Sequence, residues 1–282
     1  MSSGLAISTR GLVHIYHSEG HDVAALSGVD LTVRAGEMIG LLGPSGAGKS
    51  TLLGLLGGLF PPSAGRIFIG DVELTAVSGR MLDRLRARQV SLLLQGADRN
   101  LLHYLSAAQN VGFAQAAARR AGAEDLPDTD QILDLVGMRE QSDAPPGSLT
   151  PGQLQLLAVG VALAVRPGVL LADEPTSQLD HRSRDLVLDT LSQVNRELGT
   201  TIVLVTHDPA VGQHVPRTVT IRDGKIGGEG RRGEEYAVVN ADGFLPLPAH
   251  ALEDLPPGTL VRVHRDGTGY RLLSENDGRP PP

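Results

Sequence analysis

Gly43-Pro44-Ser45-Gly46-Ala47-Gly48-Lys49-Ser50 decides the fold of this 282-residue chain. The eight residues fit the pattern G-x-x-x-x-G-K-[ST], and they follow the apolar run Met38-Ile-Gly-Leu-Leu42, where such a loop makes physical sense. A strand delivers the loop, and its glycines let backbone N–H groups close around phosphate oxygens. Thr51-Leu-Leu-Gly-Leu-Leu56 then continues as a helix whose N-terminal dipole faces the anion. Lys49 adds a positive charge and Ser50 a hydroxyl suited to Mg²⁺. The loop implies a nucleoside triphosphate. Of the 25 basic residues only Lys49 and Lys225 are lysines, so a chain that otherwise uses arginine keeps a lysine here.

Outward from the loop, the pattern predicts an α/β fold. Short apolar or alternating runs at 12–16, 29–33 and 38–42 read as a β-rich layer before the loop. Strands are expected again at 65–70 and 90–94, and an Ala-rich helix at 107–121, so a helical insert follows Gln95. Apolar runs at 169–172 and 201–206 flank a helix over 184–198 with Leu188, Leu191, Val194 and Leu198 on one face. That is a parallel β-α-β unit.

The first of those runs, Val169-Leu-Leu-Ala-Asp173-Glu174, ends in two carboxylates. Asp173 can hold Mg²⁺ directly or through water, and Glu174 can polarise a water aimed at the γ-phosphate. In isolation the pair could be an acidic turn before Pro175; the phosphate loop in the same chain favours the catalytic reading. Upstream, Leu149-Thr150-Pro151-Gly152-Gln153 opens an apolar helix. Thr150 suits the N-cap, Pro151 the first helical position, and Gln153 completes a capping box. A well-started helix would need no more, yet its N–H groups also suit an anion.

A net charge of −7 with no long basic run argues against a nucleic-acid partner, and 41% apolar residues suffice for a core. Cysteine is absent, which excludes a disulfide framework and fits a reducing compartment. The N-terminus lacks a basic start followed by an apolar stretch, and no apolar run approaches the roughly 18 residues that span a bilayer. Any membrane crossing is expected to belong to another chain.

Phosphate loop, capped helix, acid pair, Ser177-Gln178-Leu179-Asp180 and His207 occur in the order and spacing of the nucleotide-binding subunits of ABC transporters, and over 5–226 the chain resembles that family. By this resemblance Leu149-Thr150-Pro151-Gly152-Gln153 is similar to the signature, Gln95 to the glutamine that senses Mg²⁺ and the docked partner, 177–180 to the loop ending in Asp180, and His207 to the switch histidine. Tyr16 resembles the aromatic residue that stacks on adenine, while Gly43 through Thr51 cradle the phosphates. Leu56-Gly-Gly-Leu59 and Asp173-Glu-Pro-Thr176 look most like macrolide-export and lipoprotein-release ATPases. The resemblance implies an ATPase that takes ATP and Mg²⁺ and pairs with a second ATPase domain, identical or different. It also implies a separate transmembrane permease, with this chain cytoplasmic and peripheral on the inner face of the membrane. A slow ATPase acting as a nucleotide-dependent regulatory or structural partner is the alternative. Pro151 stands where the family usually has glycine and removes one N–H donor. Leu156 and Val161 stand where it usually has arginines.

The expected division is an ATP-binding domain over 1–226, a Gly-rich linker over 227–235, a small β-rich module over 236–275 and a disordered tail over 276–282. The module reads strand, Gly turn, proline-limited helix, strand, turn, strand, and weakly resembles one chain of the swapped-hairpin barrels of transition-state regulators and antitoxins. About forty residues make a meagre core, so assistance with dimerisation is the expected role.

Overall fold

The phosphate loop leaves the middle of a parallel sheet. The computed structural model describes residues 4–18, 21–208, 211–212, 214–231, 234–239, 243–247, 251–256 and 258–274. The tail expected to be disordered lies outside them. The chain begins with β1 (Ile7–Ser18), β2 (His21–Val29), β3 (Thr32–Val33) and β4 (Met38–Leu42), then α1 (Lys49–Leu56), β5 (Ala64–Ile69) and β6 (Val72–Glu73). Next come α2 (Gly79–Arg88), β7 (Val90–Leu93), α3 (Ala107–Arg120), α4 (Thr129–Leu135), α5 (Pro151–Leu163), β8 (Val169–Asp173), α6 (His181–Leu198) and β9 (Thr201–Val205). It closes with β10 (Arg217–Arg222), β11 (Lys225–Arg231), β12 (Glu234–Ala237), α7 (Ala251–Asp254), β13 (Val261–Asp266) and β14 (Gly269–Ser274).

A seven-stranded sheet runs β12-β11-β10-β4-β9-β8-β7, with β10, β4, β9, β8 and β7 parallel. An antiparallel layer runs β2-β1-β5-β6, with β3 on β1. The central strands are apolar throughout because both faces are buried. Leu171, Val203 and Val205 pack with α1 and the antiparallel layer, through Leu52, Leu56, Ile7 and Ile69. Leu170, Ala172, Ile202 and Leu204 face the other way, onto the α3–α6 side through Val111, Leu133, Leu157 and Leu191.

Two sequence expectations need correction. The run 29–33 is not one strand: Thr9 Oγ1 donates to Val29 O (2.8 Å) and accepts from Leu31 N–H (2.9 Å), so a side chain replaces the ladder between β2 and β3. The stretch read as a linker, 227–235, lies largely in β11 and β12. Its composition signals flexibility, but Glu229 bonds Arg217 on β10 (2.8 Å), and the missing side chain of Gly230 lets β11 approach Thr218, with which a Cβ would collide. Tyr236 therefore joins the large sheet. The short helix and the final hairpin are present in α7, β13 and β14.

Candidate functional site

The loop after β4 bends where only glycine fits. Gly43, at φ 148°, would put a Cβ into the Ile221 carbonyl, and Gly48, at φ 99°, would put one into that of Ala25. Pro44, Ser45 and Gly46 form the exposed crest, while Ala47 and Lys49 are buried. Gly48 caps α1 without a side chain, so the first N–H groups of that helix face the crest uncapped. Lys49 is 7% exposed and donates from Nζ to Gly43 O (2.8 Å) and Pro44 O (2.9 Å). An ammonium has three protons to give, so one remains for an anion.

The strands beside β4 bring the remaining groups to the same edge, the C-terminal ends where open α/β sheets bind ligands. From β8, Asp173 Oδ1 accepts from Ser50 Oγ at 3.1 Å. Burial raises the Asp173 carboxyl above its ordinary value; the Ser50 hydrogen bond opposes this, the Glu174 charge adds to it, and the Lys49 charge opposes it. A divalent cation would reverse that balance. Hydroxyl and carboxylate are hard oxygen donors of the kind Mg²⁺ takes, with phosphates and waters completing its shell. Among the described residues no cluster of three or more His, Cys, Asp or Glu side chains offers a rival metal site.

Glu174 turns out of the strand at φ 47° and donates its N–H to Val205 O at 2.9 Å. Its side chain, 11% exposed, pairs through Oε1 with His207 Nδ1 at 2.7 Å. Gln95 follows β7 and is exposed, and next to it Asn100 bonds both N–H and C=O of Leu94. Loop, acid pair, histidine and glutamine thus follow four adjacent parallel strands.

Tyr16 lies at the far side of the loop helix, 45% exposed, its hydroxyl 3.2 Å from Thr51 Oγ1. Two residues that the sequence did not single out box it. His14 meets its ring edge-on with centroids 4.7 Å apart, and Phe60 lies 5.0 Å from His14 and 6.4 Å from Tyr16. His14 shares a strand face with Tyr16 by the two-residue period, a readable signal. Phe60 reaches them only through the fold, and its ring rests on Gly54 of α1.

The capped helix is as the sequence predicts. Thr150 Oγ1 accepts from Gln153 N–H (3.4 Å), and Gln153 Oε1 accepts from Thr150 N–H (3.0 Å). Pro151 has no N–H and Leu154 N–H bonds Thr150 O, so within that first turn the Gly152 N–H is the donor left uncommitted. No hydrogen bond among the described residues joins 150–153 to the chain's own phosphate loop. Asp180 caps α6, accepting from Ser183 N–H at 2.7 Å, and that bond holds its carboxyl below the ordinary value. Leu156 fills the core on the α5 side.

A family model described as ABC transporter matches residues 26–177. The lipoprotein-releasing system ATP-binding protein LolD 1 of Caulobacter vibrioides is 37% identical over 227 residues, 78% of this chain and 94% of its own length. The methionine import ATP-binding protein MetN of the same organism is 42% identical over 253 residues, 89% of this chain and 75% of its own. Among solved structures, a dimeric ATP-binding cassette in a post-hydrolysis state bound to ADP and Pi superposes with a TM-score of 0.69 at 27% identity, covering 80% of this chain and 98% of that one.

Proposed function

The chain belongs to the ABC transporter family, and from that premise we propose that it is the ATP-hydrolysing subunit that drives a separate membrane protein. The observation that carries the reading is the convergence, at one sheet edge, of Lys49, the Ser50–Asp173 pair and the Glu174–His207 pair. The uncapped start of α1 and Lys49 bind and orient the phosphates, and Tyr16 offers its ring to adenine. Ser50, Asp173 and Gln95 would hold Mg²⁺, which when bound would neutralise charge developing on the phosphates. With Oε1 occupied by His207, Glu174 uses Oε2 to take a proton from a water as that water's oxygen bonds the γ-phosphorus and the bond to ADP breaks. His207 fixes the carboxylate and stands beside the transferring group. Thr150, Gly152, Gln153 and Asp180 serve a nucleotide held between two copies, so binding closes the pair and hydrolysis reopens it.

No described helix is long and apolar enough to cross a membrane, and this reading gives that task to a permease against which the chain sits on the cytoplasmic face. A groove of 610 Å³ between α2, β7 and α5, lined by Leu92, Leu94, Val161, Arg86 and Arg99 and directly preceding Gln95, is where the permease is proposed to dock. The relatives include a lipoprotein-release and a methionine-import ATPase, so the site leaves direction and cargo to the membrane partner.

The test is the mass of purified Glu174→Gln protein with and without Mg-ATP. A shift to dimer with nucleotide, absent in Lys49→Ala, is expected; a protein that binds no ATP, or binds it equally well without Lys49, overturns the reading. Pro151 favours one competitor, a nucleotide-dependent partner of slow turnover, since the signature turn retains one uncommitted N–H. Steady ATP turnover by the wild type excludes it.

A further inference from the structure

α2 turns one face inward and gathers charge on the other. Leu85 joins the core, and Leu82 lies so close to Gly58 that a Cβ there would meet it at 2.6 Å. Arg80, Arg84 and Arg88 are exposed. Spaced four apart, they fall within about 80° of arc and form one row along the helix. Asp83, the only acid of α2, lines the groove beside Arg86 instead. α2 packs against α3, whose last turn carries Arg119 and Arg120, and a Cβ on Gly122 just beyond would stand 4.0 Å from Arg88 Nη1. Glu124 and Asp125 temper that end, so the row on α2 carries most of the charge.

The row is unfavourable to the helix that bears it. Like charges at i,i+4 repel. Arg80 also occupies a first turn that holds no acid, at the end where the helix dipole disfavours a cation. No partner within the chain offsets this. Among the described residues Arg80, Arg84 and Arg88 form no ion pair, whereas Arg139 is held by Asp130 and Asp134, and Arg217 by Glu37 and Glu229.

We propose that this row rests on the anionic headgroups of the membrane surface. The inference rests on the reading of the chain as a subunit that works against the membrane, and names the lipid chemistry it meets there. Roughly four to eight arginines or lysines on an amphipathic helix are what anionic inner-leaflet lipids attract; α2 has four, and the last turn of α3 adds two. The row is straight and lies outside the groove, so it suits a flat charged surface rather than an inserted segment. Guanidinium groups meet phosphates with paired, charge-assisted hydrogen bonds. Met81, next to the row, is exposed and dips its thioether among the headgroups. The net charge of −7 does not cancel the attraction, because side chains more than roughly 10 Å from the surface are screened at 0.1 M salt. The contact turns the permease groove, whose wall α2 shares, toward the membrane.

Flotation of the full chain, without nucleotide or permease, tests this with vesicles of phosphatidylcholine alone or mixed with phosphatidylglycerol. The wild type is expected to float with the anionic vesicles only and to be released as salt rises. Arg80→Gln combined with Arg84→Gln and Arg88→Gln should bind them at least tenfold more weakly. The three positions are exposed and glutamine keeps the helix propensity of arginine, so unchanged far-UV circular dichroism and ATP binding would verify the fold. Should the triple variant lose its fold, Arg84→Gln alone is expected to weaken binding about fivefold. A wild type that floats with neither vesicle or with both alike, or variants that float like the wild type, overturns the proposal. So does a wild type that ignores anionic vesicles yet is retained on polyglutamate, which would assign the row to an acidic protein segment. The Glu174→Gln measurement with Mg-ATP involves no lipid, so the two readings fail independently.

Discussion

Tyr16 shows what single residues decide here. Its ring is held edge-on by His14 and its hydroxyl by Thr51, so one aromatic face is supported while the residue stays partly exposed. Stacking of a base on such a ring is worth about 1–3 kcal/mol. Tyr16→Ala should therefore weaken ATP binding by about 5- to 150-fold at 25 °C by isothermal titration, leaving triphosphate itself nearly unaffected; equal losses for both ligands would mean that the ring does not meet the base. Phosphate loop, acid pair and capping box were legible because each depends on residues adjacent in sequence. The surroundings of Tyr16 were not, because Phe60 arrives from beyond α1. Nor did the sequence announce the left-handed backbone of Glu174, which only its bond to Val205 explains.

Among elements, the pairing of β11 with β10 was the hardest to foresee, since its glycines resemble a linker. The polar contacts that hold it centre on Arg217, whose Nε and Nη2 donate to Glu229 at 2.8 and 3.1 Å and whose Nη1 donates to Thr32 O at 2.8 Å and to Glu37 at 3.2 Å. Burial alone would raise the Glu229 carboxyl, but hydrogen bonds and charges from Arg217 and Arg231 outweigh it and hold the group below its ordinary value. A carboxyl depressed by folding stabilises the native state above its unfolded value, and that stabilisation is lost as pH falls through the folded one. Glu229→Gln should thus cost about 1–2 kcal/mol near neutrality and flatten the acid side of a stability-versus-pH curve from chemical denaturation. An unchanged acid side would show that the pair does not report folding.

At the scale of the whole molecule, two hydrophobic cores on opposite faces of one sheet fix the strand ends, and with them the reacting groups, in a shared frame. That architecture was readable from the apolar runs at 169–172 and 201–206, and the final hairpin from its strand-turn-strand pattern, while the Gly-rich edge strands depend on pairings that composition conceals. The frame has a further use. Apart from the chain terminus, the molecule carries only two primary amines, at Lys49 and Lys225. One is enclosed, its Nζ bound to two carbonyls at the loop mouth; the other is half-buried at the turn between β10 and β11. Under limited acylation Lys225 should react alike in all states, while Lys49 should react slowly and be shielded further by bound nucleotide. The ratio of the two labelled peptides in mass spectrometry then gives a built-in gauge of site occupancy, and equal labelling of both lysines would contradict the enclosure of Lys49.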